Sequence, residues 1–199
     1  MSPPQIIMSS EEDISPQFLD EFQTALTRLG IPFETEQRER AVYMALEDHI
    51  PTVLVVFLAK PFFDGFLKKA GEDAYAGLKR GLASLVVKAS SFTTTIIKSC
   101  AGKFQDCSSY SRIISIYSLT NSDKRLKFLL PAAASEEEAL EIVDSILALL
   151  IEHSAHPGRD ALSVTLATAR ADFLYVLEYD LHARKWRLYH PERRGSNRA

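Results

Sequence analysis

Apolar and polar positions alternate along the chain with two different periods, one helical and one extended. Phe18, Leu19, Phe22, Ala25, Leu26 and Leu29 recur at helical spacing. Ser15 before Pro16 is an N-cap followed by proline at the first helical position, and Gly30 with Pro32 supplies a stop. Together they predict a helix over 16–29. A second helix is predicted from Ser135 to about 153. There Ser135 and Glu138 form a capping box, and Ala139, Leu140, Ile142, Val143, Ile146, Leu147, Leu150 and Ile151 form an apolar face.

A third helical pattern covers 61–88. Phe63, Phe66, Leu67, Ala70, Ala74, Leu78, Leu82 and Leu85 fall on one broad arc, with Asp64, Lys68, Lys69, Glu72, Asp73, Lys79 and Arg80 mostly opposite. Gly71, Gly77 and Gly81 lie in or beside the apolar arc. Glycine inside a helix costs about 1 kcal/mol against alanine. A close approach of another backbone can offset that cost. Three readings follow: a core helix packed tightly on a neighbour, a self-association surface, or a helix lying on a membrane with its lysines at the headgroups.

Extended segments are predicted at 5–9, 113–119, 126–130, 161–168, 172–180 and 185–190. The turn at 120–125 makes 113–130 a hairpin. VLVVFLA at 53–59 reads as a buried strand or as the first turns of a buried helix. FETEQRER suits an edge strand and RAVYMALEDH a short helix. Residues 90–99 form a strand or an ordered loop, 101–111 a loop, and 191–199 a disordered polar tail. Helices and hairpins segregate. The fold expected is α+β, an antiparallel or mixed sheet packed by two or three helices, with a long interior amphipathic helix near 61–88. A single domain over 1–190 is expected, with a possible subdivision near 100–111.

Composition narrows the class. A chain of 199 residues, 46 % hydrophobic and 25 % charged, has the make-up of a soluble globular protein. Two cysteines exclude a disulfide scaffold. The net charge of −3 hides a segregation: −7 over residues 1–50, +7 over 51–130 and −3 over 131–199. Either the acidic first quarter folds against the basic middle, or Lys68, Lys69, Lys79, Arg80, Lys88, Lys98 and Lys103 form a basic face for phosphates or anionic lipid. The first residues carry neither a basic n-region nor a long apolar run, so a cytoplasmic location is expected. The run at 53–59 is far short of the roughly 20 apolar residues of a spanning helix.

Candidate chemistry is sparse. No phosphate-binding loop, H-E-x-x-H or G-x-S-x-G occurs. His153 and His156 would hold a metal only if Glu152 or Asp160 joined them; as cations they also suit a helix C-terminus. No metal or cofactor is expected. Cys107 beside Asp106 is a candidate nucleophile, with His49, His153, His156, His182 or His190 as base. Asp172, Glu178 and Asp180 are candidate acid–base carboxylates or the solvated face of a hairpin. Trp186 with Tyr175, Tyr179 and Tyr189, interleaved with Arg184, Lys185 and Arg187, suits single-stranded nucleic acid or cross-strand packing. Nucleic acid is the less expected partner. The expectation is an interaction module that binds another protein or itself, through Gly71, Ala74, Gly77, Leu78 and Gly81 or through Trp186 and Tyr189. The alternatives are a membrane-surface effector using 53–88 and an enzyme with a dispersed His, Cys and carboxylate site. No residue is assigned a catalytic role.

Overall fold

The computed structural model describes residues 4–11, 14–15, 17–38, 52–59, 62–63, 67–91, 109–169 and 174–189. Cys107, Asp106, Asp172, His49, His190, the expected short helix near 41–49, most of the segment 90–111 and the tail 191–199 lie outside them. The elements in chain order are β1 (Ile6–Glu11), α1 (Gln17–Arg28), β2 (Phe33–Arg38), β3 (Leu54–Leu58), α2 (Leu67–Ser90), β4 (Tyr110–Leu119), β5 (Arg125–Pro131), α3 (Glu136–Ala155), α4 (Ala161–Ala167), β6 (Leu174–Asp180) and β7 (Lys185–Leu188). The fold is α+β, as the periodicities predict.

Seven strands form one mixed sheet in the order β2-β1-β3-β4-β5-β6-β7. Three pairs are parallel: β1 with β2, β3 with β4, and β5 with β6. Each is a strand–helix–strand unit, since a parallel neighbour needs a crossover. Antiparallel pairs β1–β3, β4–β5 and β6–β7 join the units and add the last strand. The segment 53–59 is a strand in the middle of the sheet, which settles its two readings.

The helices pack side by side, α1 on α2, α2 on α3 and α3 on α4, and share one core with one face of the sheet. Ile6, Met8, Leu54, Val56, Leu58, Ile114, Ile116, Leu126, Phe128 and Leu177 supply that face and are fully or almost fully buried. On the far face the registers set Ser9, Val55, Ser115, Leu129, Glu178 and Arg187 in one row across six strands.

An interruption in the long helix and one element type differ from the sequence reading. The helix expected near 61–88 spans Leu67–Ser90 among the described residues, and Gly71 interrupts it with φ 74° and ψ −179°. Phe62 and Phe63 precede it, buried and edge-to-face with ring centroids 5.1 Å apart. Residues 161–167 are a helix, not a strand. Asp160 accepts the Ser163 backbone N–H and caps it, so the local cap outweighs the β-branched content of ALSVT. The capping box of α3 is present as predicted, with Ser135 and Glu138 bonded reciprocally.

Candidate functional site

Two places gather the residues that matter. The first is the C-terminal end of α3. His153 is buried there beside the fully buried Asp160 side chain, Nδ1 to Oδ1 3.0 Å. Its Nε2 accepts the backbone N–H of Asn121 at 3.1 Å, and the Asn121 amide donates to the His153 carbonyl at 2.7 Å. A ring nitrogen that accepts an N–H carries no proton, so the proton sits on Nδ1 and is donated to Asp160. Ser163 Oγ donates to Asp160 Oδ2 at 2.5 Å and accepts the Gly158 N–H. Burial opposes the Asp160 charge, but the Ser163 and His153 hydrogen bonds outweigh it and hold the carboxyl down to about 2.

The trio Asp160, His153 and Ser163 contains the residue types of a nucleophilic triad, but it is connected differently. In a triad the far ring nitrogen takes the serine proton. Here that nitrogen faces the Asn121 N–H, and Ser163 gives its proton to the carboxylate. The arrangement is a staple joining the β4–β5 turn, α3 and α4. Beside it a cavity of about 450 Å3 is lined by Asn121, Ser122, Lys124, Ser163, Leu166 and Tyr175 among others. His156 is an exposed C-cap residue. No group of three or more metal-ligating side chains occurs among the described residues.

The second place is the seam between α1 and α2. A Cβ on Gly77 would sit 2.9 Å from Leu29 Cδ2, and one on Gly81 would sit 3.0 Å from Phe22 Cδ2. Both glycines are therefore where α1 comes closest. Ala74 and Leu78 point into the core at 6 % and 1 % exposure, and Gly71 is exposed at the interruption. Along the outer side of this seam runs a groove of about 400 Å3. Phe18, Phe22, Leu29 and Leu85 supply apolar walls, with the small residues Ala25, Gly77, Gly81 and Ser84 between them. Glu21, Arg28, Arg80 and Lys88 form the rim. Lys88 pairs with Glu21, one link between the acidic first quarter and the basic middle. Neither Arg28 nor Arg80 has a carboxylate within ion-pair distance among the described residues; Arg80 Nε donates to the Ala76 carbonyl.

The remaining sequence candidates are held in local contacts. Trp186 lies on the helix side of the sheet. Its ring meets Phe128 edge-on at 5.0 Å, and its Nε1 donates to Ser145 Oγ of α3 at 2.8 Å. Tyr179 donates to Glu141 of the same helix. Lys185 and Arg187 lie on the far side, paired in register with Asp180 and Glu178, so these aromatic rings and bases do not share a face. Tyr189 stacks edge-on against Tyr110. Glu178 accepts from Tyr110 Oη and Arg187 Nε, and Asp180 accepts the His182 and Ala183 N–H groups and Arg187. Lys127 is 2 % exposed, its Nζ 5.5 Å from the Tyr117 ring centre, and burial lowers its pKa to about 8.

The groove itself escaped the sequence reading. Its signal was present as Gly77, Gly81 and Ser84 at positions i, i+4 and i+7, facing Phe18, Phe22, Ala25 and Leu29 at the same spacing. No family model, curated protein or solved structure matches the chain. No helix among the described residues is long and apolar enough to cross a membrane.

Proposed function

We propose that this protein is a binding module that takes an acidic, amphipathic helical segment of another protein into the groove between α1 and α2. The observation that carries the reading is an apolar groove bordered by two arginines that have no carboxylate within ion-pair distance among the described residues. Guanidinium groups form planar, two-pronged hydrogen bonds with carboxylates. An apolar trough between helices accepts side chains spaced at i, i+3, i+4 and i+7. The segment would seat a large apolar residue over Gly81 and Ser84 and turn its acids to Arg28 and Arg80. The wiring of His153 also favours this reading, because both ring nitrogens hold the fold together.

Selection from a displayed library of helical peptides tests the proposal. Binders should carry Asp or Glu flanking Leu, Phe or Trp. They should lose at least about tenfold in affinity to Arg80→Glu, and as much to Ser84→Trp, which fills the groove from an exposed position. Failure to recover binders, or binders indifferent to both substitutions, would overturn the reading.

A further inference from the structure

The two outer strands of the sheet carry opposite charge on the same face. In β2, Glu34 pairs with Ile7 and Glu36 with Ser9, so both acids project on the side away from the helices, with Arg38 at the strand's end on the same side. In β7, Arg187 pairs with Glu178 and Lys185 with Asp180, which puts both bases on that side as well. Glu34, Glu36, Lys185 and Arg187 are exposed. On the helix side the same strands carry Phe33 and Thr35 at one edge, Trp186 and Leu188 at the other. Each outer strand has one side of its backbone without a strand partner among the described residues.

The pairing directions fix how two copies could meet. β2 runs with β1, β3 and β4 run against them, β5 and β6 run with them again, and β7 runs against. β2 and β7 therefore point in opposite directions. A second copy placed beside the first by translation, with its helices on the same side, brings its β2 antiparallel to the first copy's β7. One register sets Glu34 opposite Arg187 and Glu36 opposite Lys185. The same register sets Phe33 opposite Leu188 and Thr35 opposite Trp186 on the other face. Opposite charges and apolar pairs facing each other across strands are stabilising. Of the like-edge contacts, β7 on β7 brings Lys185 and Arg187 of two copies together, whereas β2 on β2 repels only in registers that oppose the glutamates, because Arg38 shares their face. Charged edge strands ordinarily prevent sheet-to-sheet association. Here the signs block β7 on β7, and in the head-to-tail register both charged pairs, Glu34 with Arg187 and Glu36 with Lys185, are of opposite sign.

We infer that this protein self-associates head to tail, β7 of one copy pairing with β2 of the next to continue the sheet. Such a contact uses two different surfaces, so it builds an open series or a ring, not a closed two-fold dimer. It is independent of the groove, which lies in the helix layer.

Sedimentation velocity of the full chain from micromolar to millimolar concentration, at low and high salt, is the test. The expected result is a concentration-dependent series beyond dimer that weakens with salt. Arg187 already holds Glu178 and Asp180, so the substitutions are Glu36→Lys and Lys185→Glu, each exposed. Each alone should weaken association by about tenfold, and an equimolar mixture of the two should restore it, because each supplies the edge the other lacks. A chain that stays monomeric throughout overturns the inference. So does a dimer that stops at two copies, or a series unaffected by either substitution.

Discussion

The α1–α2 seam and the contacts of α3 solve the same problem, holding a helix to its neighbours, by opposite means. At α1–α2 the contact is apolar, brought close by Gly77 and Gly81, and its described polar link is the rim pair Lys88–Glu21. At α3 the contact is a series of directed hydrogen bonds. Tyr75 and Lys79 both reach Asp144, Trp186 reaches Ser145, Tyr179 reaches Glu141, and His153 reaches Asp160. Directed bonds fix one geometry and leave few groups uncommitted. Apolar contact leaves Arg28 and Arg80 on the rim without a carboxylate partner among the described residues. The difference is why the proposed ligand site lies in the α1–α2 groove and not beside His153, although His153 carries the more suggestive residues.

The largest expected effect is at the polar end. Asp160→Ala removes the cap of α4, the partner of His153 Nδ1 and the acceptor of Ser163 Oγ together. Removing one partner of a buried hydrogen-bonded set costs more than the bonds themselves. A loss of about 3 kcal/mol in urea unfolding is expected. The same carboxyl sets an acid limit. Its folded pKa of about 2 lies below the ordinary aspartate value of 3.8, so the stabilisation is complete above about pH 5 and is lost as pH falls through 3.8 towards 2. The amount is about 2 kcal/mol. Unfolding followed from pH 6 to pH 2 should show this loss, and Asp160→Asn should flatten it.

Next comes the apolar seam. Gly81→Leu pushes against the Phe22 ring at the closest approach of α1. Overpacking of this kind costs about 1–3 kcal/mol. Urea unfolding with two probes checks it. If instead the variant is as stable as the parent, α1 is free to shift on α2, and the groove is softer than its glycines imply.

Much of this contrast was legible beforehand, and the reasons differ by element. α1 and α3 were visible because each carries its own cap and an uninterrupted apolar stripe. α4 was missed because seven residues are too few to show a period, and what decides it is Asp160, which lies outside the apolar pattern. The interruption at Gly71 was invisible because glycine fits both a helix and a break. A mixed sheet was among the expectations, but which strands pair in parallel was not legible: β3 and β4 are neighbours in the sheet with 51 residues between their nearer ends, Leu58 and Tyr110. Hydrophobic periodicity reports a segment's own geometry and not its partner. The groove needed two helices at once, so neither stripe alone could announce it.

The last two predictions separate buried from exposed polar links. Tyr75→Phe keeps the ring and removes only the hydroxyl that donates to Asp144 at 2.9 Å. Burial, and after it the Asp144 bond, push the Tyr75 phenol above its ordinary range, so the hydroxyl stays protonated and donates throughout neutral pH. A loss of about 1 kcal/mol is expected. Lys88→Met breaks the rim pair with Glu21, whose side chain is 72 % exposed. Solvent screens such a pair, and the methionine keeps the apolar stem, so stability should change by less than about 0.5 kcal/mol. Binding should respond where stability does not. Glu21, released from Lys88, puts an uncompensated acid on the rim, and an acidic helix should bind several-fold more weakly with the fold unchanged. A drop in stability without a drop in affinity would make the pair a structural link and leave the rim without a role in recognition.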